Sequence, residues 1–346
     1  MSDEKTGLSY RAAGVDIDAA ARAMRVVAAL VRSTATSDTL SELGSFGGLY
    51  RVPRDVARPV LVASTDGVGT KLKIAFLAGR HGTVGEDLVN HCVNDILVQG
   101  ARPLFFLDYV GVGRLQPGVV EEIVAGVAAG CRANGCALLG GETAEMPDFY
   151  AEGEYDIAGT IVGVVDEERV IDGSAIRAGD AIVALASTGL HTNGYSLARK
   201  IVFERLNLSV DDPFPEEEGS VADVLLRVHR SYLRPLTPLI EAGMVRGLAH
   251  ITGGGLTDNV PRILPAGVDA RFDRATWEVP AVFRVLQSAG GVEDAEMFRA
   301  FNMGIGMVAV VAAEDADRAV AALVRAGETA WVAGEIVEGE GKVRLT

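Results

Sequence analysis

The sequence lacks the common signatures of nucleotide-binding and hydrolytic enzymes. It contains no G-x-x-x-x-G-K-[ST] P-loop, no G-x-G-x-x-G segment opening a helix and no G-x-S-x-G elbow. These absences exclude a P-loop, a Rossmann dinucleotide site and an α/β-hydrolase nucleophile. Any phosphate-binding site in this chain must have a different architecture.

Positive charge and long apolar runs are also scarce. Lys and Arg number 32 against 47 Asp and Glu, which gives a formal net charge of -15. A polyanion would be repelled unless a local basic stripe existed, and the sequence shows none. No apolar run approaches the ~18 residues of a membrane span. We therefore expect no nucleic-acid partner and no membrane partner.

Cysteine is rare and has no metal-binding or redox spacing. The three residues, Cys92, Cys131 and Cys136, form no C-x-x-C motif. The chain opens Met1-Ser2-Asp3-Glu4-Lys5 without an apolar segment. These features predict a reduced, cytoplasmic protein.

The length and the position of one polar stretch predict two domains. The chain has 346 residues, of which 49% are hydrophobic, and domains commonly contain about 150 residues. Residues 166–180 are polar and turn-prone and lie between two apolar strands. We expect an N-terminal domain over residues 1–170 and a C-terminal domain over residues 171–346.

Short apolar strands alternate with amphipathic helices, which predicts an α/β fold with mixed sheets. One helix is expected around Ala19–Val31, one over Gly85–Ile96, and one from Val120 to Cys131 that ends at Asn134-Gly135. The predicted strands are Val60–Ser64, Leu104–Tyr109, Ala137–Leu139, Ile157–Val165, Ala181–Ser187, Met307–Val311 and Trp331–Ile336.

Carboxylates follow short apolar strands or sit near them at Asp66, Asp95 and Glu142. Magnesium is commonly held by one or two carboxylates together with nucleotide phosphates, so this set predicts a magnesium-nucleotide site. In the segment after the first strand, Gly67 and Gly69 would admit phosphate oxygens, and Lys71 would offset charge that develops during transfer. An ordinary strand-to-helix turn, capped by Asp66, explains the same segment equally well.

The predicted helix over Gly85–Ile96 carries one polar stripe on an otherwise apolar surface. The stripe comprises Asp87, Asn90, His91, Asn94 and Asp95. For His91 we favour a surface position. Apolar residues follow Asn94 and Asp95 directly, so we expect that pair to lie near the core and to need a partner or a cation.

Three glycine-containing loops could hold phosphate or a polar substrate. Residues 187–196 and 251–259 each precede a predicted helix and offer hydroxyl, amide and N–H groups. Taken singly, each is better explained as a capped helix start. Residues 44–48 (GSFGG) form a flexible segment that could close over nucleotide phosphates, although this signal alone is weak.

Taken in order, these motifs resemble those of the phosphoribosylformylglycinamidine cyclo-ligases, also called AIR synthetases. The matching segments span nearly the whole chain: Tyr10–Asp18, Ser45–Leu49, Ser64–Lys71, Asn94-Asp95, Phe105–Tyr109, Gly140–Pro147, Gly189–Leu197, His250–Gly255 and Phe301–Met307. The resemblance implies ATP-dependent closure of an imidazole ring, which converts formylglycinamidine ribonucleotide to aminoimidazole ribonucleotide in purine synthesis. It also implies a homodimer whose N-terminal sheets join into a β-barrel, with ATP near the subunit contact.

The resemblance assigns roles to individual residues. Asp66, Asp95 and Glu142 match magnesium-associated acids. ATP contacts are expected at Gly44, Phe46, Gly47, Gly48, Asp66, Gly67, Gly69, Thr70, Lys71, Asn94, Asp95, Asp108 and Glu142. Ribonucleotide contacts are expected at His191, Asn193, Gly194, Thr252, Gly253 and Gly254.

His191 is our candidate for the general base, whereas His250 could equally be structural. Two residues depart from the family pattern: Arg11 replaces a lysine, and Asn90-His91 replace an Ala-Met pair, so His91 receives no role. Thiamine-monophosphate kinase, from the same superfamily, is the main enzymatic alternative. A nucleotide-binding module without turnover is the alternative from another class.

Overall fold

The fold is built on two β-sheets, one in each half of the chain. In this computed structural model, the structure describes residues 26–42 and 44–346. The first sheet has four strands in the order β1-β4-β2-β3, and the second has six in the order β10-β7-β9-β5-β8-β6. The segment between them, residues 167–180, contains only a short 3-10 turn at Glu167–Arg169.

The N-terminal sheet is mixed. Its strands are β1 (Pro59–Gly67), β2 (Arg102–Val112), β3 (Ala137–Glu145) and β4 (Tyr155–Asp166). β4 runs antiparallel to both β1 and β2, and β2 runs parallel to β3. The helices of this half are α1, described over residues 26–32, α2 (Leu72–Ala78), α3 (Gly82–Leu97) and α4 (Pro117–Asn134).

Helices α3 and α4 cross at very short range because both carry glycine at the crossing. A Cβ added at Gly126 would lie 1.9 Å from the carbonyl oxygen of Gly82, and one at Gly85 would lie 2.1 Å from that of Ile123. α4 ends at Gly135, whose φ of 69° is the left-handed conformation that glycine adopts readily. This close crossing sets the position of α3 against the sheet.

The C-terminal sheet forms the second core. Its strands are β5 (Ala181–Ala186), β6 (Val245–His250), β7 (Val268–Phe272), β8 (Ile305–Val311), β9 (Ala330–Glu338) and β10 (Val343–Leu345). Its helices are α5 (Tyr195–Arg199, continued by a π-helical turn to Arg205), α6 (Val221–Leu225), α7 (Leu233–Glu241), α8 (Gly255–Asn259), α9 (Ala281–Gly290), α10 (Asp294–Ala300) and α11 (Ala316–Arg325). β5 and β8 are neighbours between β9 and β6 and are almost entirely buried.

The mixed α/β fold is as the sequence predicts, and all seven predicted strands occur. The predictions over Gly85–Ile96 and Val120–Cys131 correspond to α3 and α4, including the stop at Gly135. Strands β6, β7 and β10 were not predicted. The segment Tyr10–Asp18, with Arg11, and the beginning of the helix expected around Ala19–Val31 lie outside the described residues.

Over the described residues, the N-terminal sheet of one chain is open and forms no closed barrel. α3 packs on one face. On the opposite face Leu61 is 61% exposed and Leu107 is 36% exposed. A barrel of the kind implied by the family resemblance would need a second copy of the chain. Among the described helices, none is long and apolar enough to cross a membrane.

Candidate active site between the two sheets

Three loops from the two halves of the chain meet at one place. Thr70 Oγ1, after β1, lies 3.1 Å from Ser196 Oγ at the start of α5. A Cβ built on Gly253 would lie 3.2 Å from Asn193 Oδ1. The loop after β1 and the loops that precede α5 and α8 therefore form one site, which contains all six residues expected to hold the ribonucleotide.

Two of the three predicted acids converge there around a histidine. Asp66 ends β1 and Asp95 lies on α3, and His91, one turn earlier on α3, stands between them. His91 Nε2 is 2.8 Å from Asp66 Oδ2 and 3.7 Å from Asp95 Oδ2. Ser64 Oγ donates a hydrogen bond of 2.9 Å to Asp95 Oδ2. The Asp66 side chain remains 47% exposed and that of Asp95 25%.

The electrostatics of this group favour charged side chains. Burial opposes ionisation of His91, yet the hydrogen bond to Asp66 and the charge of Asp95 raise the pKa of its ring. Burial also opposes ionisation of Asp66 and Asp95, but their hydrogen bonds to His91 and His250 respectively hold both carboxyl pKa values below the usual range. The two carboxylates are therefore ionised and lie on either side of the His91 ring.

Three further buried histidines extend the group. His250 Nδ1 is 2.8 Å from Asp95 Oδ1, and its Nε2 is 3.0 Å from His229 Nε2. Thr192 Oγ1 lies 2.8 Å from His91 Nδ1 and 3.3 Å from His229 Nδ1. His191 stacks on His229 with ring centroids 4.0 Å apart. The sequence analysis named His191 and His250 but missed His229, which follows no recognisable motif, and Thr192 as a contact between histidines.

His191, the candidate base, is held in a tight turn. Its φ is 60°, and its Nε2 accepts a hydrogen bond of 3.2 Å from the Thr188 N–H. Its Nδ1 is buried and has no hydrogen-bond partner. Burial, together with the neighbouring charges of His250 and Lys71, puts the pKa of this ring well below the usual value. The ring is therefore neutral, and because Nε2 accepts a hydrogen bond, its single proton lies on Nδ1.

The loop before α8 is held by one asparagine. Asn259 Nδ2 lies within 3.4 Å of the carbonyl oxygens of Thr252 and Gly253 and donates a 2.9 Å bond to Gly255 O. Thr252 Oγ1 donates to Asn259 Oδ1 at 3.2 Å. These bonds, with that of the Gly255 N–H to Thr252 O, fix the loop at the start of α8.

Lys71 lies inside the protein. It is fully buried, and its Nζ lies 2.7 Å from Asp87 Oδ2, which is also fully buried. Nζ donates further bonds to the carbonyl oxygens of His191 and Arg227, at 3.1 and 2.7 Å. In this structure Lys71 joins the β1 loop to the C-terminal half, with no open path from its amine to a bound nucleotide.

Glu142 does not join Asp66 and Asp95 within one chain. Glu142 pairs with Tyr109 in the sheet register, whereas its neighbour Gly141 pairs with Asp108. Through Asp108 and Gly159, Gly141 is aligned with Asp66, whose side chain faces α3. Side chains of successive strand residues point to opposite faces, so Glu142 points to the open face of the sheet, away from α3. The predicted set of three acids is thus reduced here to two.

The remaining expected nucleotide contacts lie apart from the carboxylate pair. Asp66 on β1 and Asp108 on β2 both pair with Gly159 of the intervening strand β4. Two strand spacings of about 5 Å each therefore separate them. Burial raises the pKa of Asp108 to about 7. Residues 44–48 are exposed to solvent, with Phe46 fully so. Asn94 binds the Arg230 carbonyl and the Tyr232 N–H, which is a structural role.

The described residues offer a fitting donor set for Mg²⁺. Asp66 and Asp95 present ionised carboxylate oxygens at a partly exposed site, and oxygen donors are what magnesium prefers. The surface position that we favoured for His91 is wrong, because this residue is 3% exposed. The loops from the C-terminal half cover it.

Sequence comparison places these features in a known family. The profile of the AIR synthase related protein, N-terminal domain, matches residues 49–165, and that of its C-terminal domain matches residues 177–346. The phosphoribosylformylglycinamidine cyclo-ligase of Trichlorobacter lovleyi is 53% identical over 96% of this chain and 95% of its own length. The enzyme of the same name from Syntrophotalea carbinolica is 49% identical over the full length of both chains.

Solved structures share the fold at much lower identity. Thiamine-monophosphate kinase from Stenotrophomonas maltophilia superimposes with a TM-score of 0.69 at 17% identity, over 92% of this chain and 95% of that chain. Hydrogenase maturation protein HypE in complex with ATP gives 0.68 at 21% identity, over 93% and 90%. At these identities the likeness extends to the fold alone.

Proposed function

The chain belongs to the phosphoribosylformylglycinamidine cyclo-ligase family, and we propose that the junction between its two sheets is the site where the reaction takes place. The enzyme is an ATP-dependent ligase of purine biosynthesis. It converts formylglycinamidine ribonucleotide and ATP to aminoimidazole ribonucleotide, ADP and phosphate. The observation that carries the proposed site is the contact of this carboxylate pair, Asp66 and Asp95, with both substrate loops: Asp95 bonds to His250, and His91, between the carboxylates, bonds to Thr192.

The chemistry requires activation of an amide oxygen. Ring closure forms a carbon–nitrogen bond and expels this oxygen, which is a poor leaving group. Transfer of the ATP γ-phosphoryl group to the oxygen lets it leave as phosphate when the neighbouring nitrogen attacks, and one proton is released. Catalysis of this kind depends mainly on positioning and on neutralisation of charge.

Asp66 and Asp95 would hold Mg²⁺, which neutralises charge on the ATP phosphates. Support comes from the lowered pKa values of both carboxyls and from their exposed edges. The His91 ring lies between the two carboxylates, and its contact with Asp66 Oδ2 limits their mutual repulsion.

His191 would take up the proton released by the attacking nitrogen. Its ring is neutral, and Nε2, which accepts the Thr188 N–H in this structure, carries the lone pair that would take the proton. Asn193, Gly194 and the Thr252–Gly254 loop would orient the ribonucleotide, with the phosphate near N–H groups at a helix start. Lys71 would act by positioning the His191 loop through its bond to the His191 carbonyl.

The open face of the N-terminal sheet would bind a second copy of the chain. Leu61 and Leu107 expose apolar surface on this face, and Glu142 shares it. Two such faces packed together would complete a barrel and bring Glu142, and with it the loop over residues 44–48, to the subunit contact. The three cysteines are free and buried, in keeping with a reducing cytoplasmic location.

The test is a product assay on the purified chain. With formylglycinamidine ribonucleotide, ATP and Mg²⁺, we expect aminoimidazole ribonucleotide, ADP and phosphate to appear in equal amounts. With thiamine monophosphate as the alternative substrate, we expect no thiamine diphosphate. ADP formation without the imidazole product, or phosphorylation of thiamine monophosphate, would overturn the assignment.

A further inference from the structure

We propose that His91, His229 and His250 form a nitrogen-donor site for a divalent transition metal such as Zn²⁺, distinct in its ligands from the carboxylate pair that suits Mg²⁺. One ring nitrogen from each histidine lies within 4.8 Å of those of the other two. All three rings are buried, with His91 3%, His229 0% and His250 6% exposed.

The shortest distance in the group already suits a metal site. His229 Nε2 and His250 Nε2 are 3.0 Å apart. Two nitrogens bound to one zinc at about 2.0–2.1 Å lie roughly 3.3 Å from each other in a tetrahedral site. His91 has to give up one of its two contacts, with Asp66 or with Thr192, and turn that nitrogen toward the metal.

Hydrogen bonds on the far side of two rings direct their lone pairs toward this point. Asp95 Oδ1 accepts a bond from His250 Nδ1 at 2.8 Å, which places the ring proton there and leaves Nε2 free. Thr192 Oγ1 can accept in the same way from His229 Nδ1 at 3.3 Å. A carboxylate behind a histidine is the usual support of a metal-bound imidazole.

Two free Nε2 lone pairs facing each other at 3.0 Å repel unless a proton or a cation lies between them. Asn94 Nδ2 reaches His229 Nε2 only at 3.3 Å, because it is already bound to the Arg230 carbonyl at 2.8 Å. A divalent cation between the two nitrogens removes the repulsion, and in its absence a proton on His229 Nε2 does so. The cation also balances the two negative charges of Asp66 and Asp95, which lie beside His91 and His250.

The site would link the two halves of the chain. His91 lies on α3 of the N-terminal half, whereas His229 precedes α7 and His250 ends β6 of the C-terminal half. A bound metal would therefore hold the domain junction in the arrangement that forms the active site. Imidazole ligands select zinc, copper, nickel or cobalt over magnesium, so excess Mg²⁺ would not compete.

Cobalt(II) titration tests the proposal directly. Tag-free protein, treated with a chelator and kept in excess Mg²⁺, is titrated with Co²⁺ while the visible absorption bands of the metal are recorded. We expect one equivalent to bind with the strong absorption typical of a tetrahedral site. We also expect one equivalent of Zn²⁺ to displace Co²⁺ and to raise the melting temperature.

Variants distinguish metal binding at this site from metal binding at other histidines. His229→Gln and His91→Met should each weaken Co²⁺ binding by more than about tenfold, and circular dichroism identifies any variant that fails to fold. His81→Gln is the matched control, since His81 lies apart from the other four histidines of the chain and contacts Tyr155 instead. Absence of the bands in the wild type, their persistence in folded His229→Gln or His91→Met, or their loss in His81→Gln would overturn the proposal.

Discussion

At the scale of residues, the interior of this protein holds an unusual amount of charge. Lys71 and Asp87 are both fully buried and 2.7 Å apart. Asp87 Oδ1 also accepts a 2.6 Å bond from the His229 N–H. A buried pair of this kind is costly to break, because removal of one partner leaves the other charge without compensation.

Replacing Lys71 by methionine should therefore destabilise the protein by about 3–5 kcal/mol, measured by urea denaturation. The double variant Lys71→Met with Asp87→Asn should recover most of this loss, because asparagine keeps the acceptor for His229 and removes the buried charge. If the single variant is as stable as the wild type, Lys71 does not compensate the buried charge of Asp87.

At the scale of elements, the close crossing of α3 and α4 fixes the helix that carries His91 and Asp95. Gly82, Gly85 and Gly126 allow the two backbones to touch. Gly118, near the start of α4, has no atom within 4 Å of its Cβ position and is exposed. Helix α4 thus contains one glycine, Gly126, at which a side chain would collide with α3, and one, Gly118, at which it would not.

Gly126→Ala should lower the free energy of unfolding by about 1–3 kcal/mol and reduce activity, because α3 must move away from α4. Gly118→Ala should be neutral or slightly stabilising, since alanine favours helix more than glycine does. Denaturant melts of both variants give the comparison. Equal stability of the two would contradict the crossing as described.

The sequence predicted the elements that have strong periodicity and clear stops, such as α4 with its end at Gly135. It did not predict β7, a five-residue strand that contains Asp269 and Arg271 and so lacks an apolar run. The sequence could not predict the burial of His91, because loops that are distant in sequence cover the face of α3 on which it lies. The sequence did predict Asp66 and Asp95 as site residues, because each lies next to a short apolar segment and these segments come together at the site.

At the scale of the whole molecule, the open face of the N-terminal sheet exposes apolar side chains that a second chain would cover. Leu61 is 61% exposed on β1, at the edge of the sheet. Leu107 lies on the inner strand β2 and adds to the same face. Exposed apolar surface of this extent is typical of an interface.

Leu61→Lys should shift the protein from two chains to one in sedimentation velocity, because a buried lysine at the contact would lack a partner. Val324→Lys on α11 is the control, since Val324 is similarly exposed, at 53%, and lies outside this face. A wild-type protein that sediments as a single 36.3 kDa chain would refute the proposed interface.

The most direct test of the account is the turnover of carboxylate variants. Asp66→Asn and Asp95→Asn should each lower the rate of aminoimidazole ribonucleotide formation by about 100-fold, as expected when charge stabilisation is lost at a reacting phosphate. Asp211→Asn, in an exposed loop, should retain the wild-type rate. Near-normal turnover in a folded Asp66→Asn or Asp95→Asn variant would contradict the claim that this pair holds the cation of ATP.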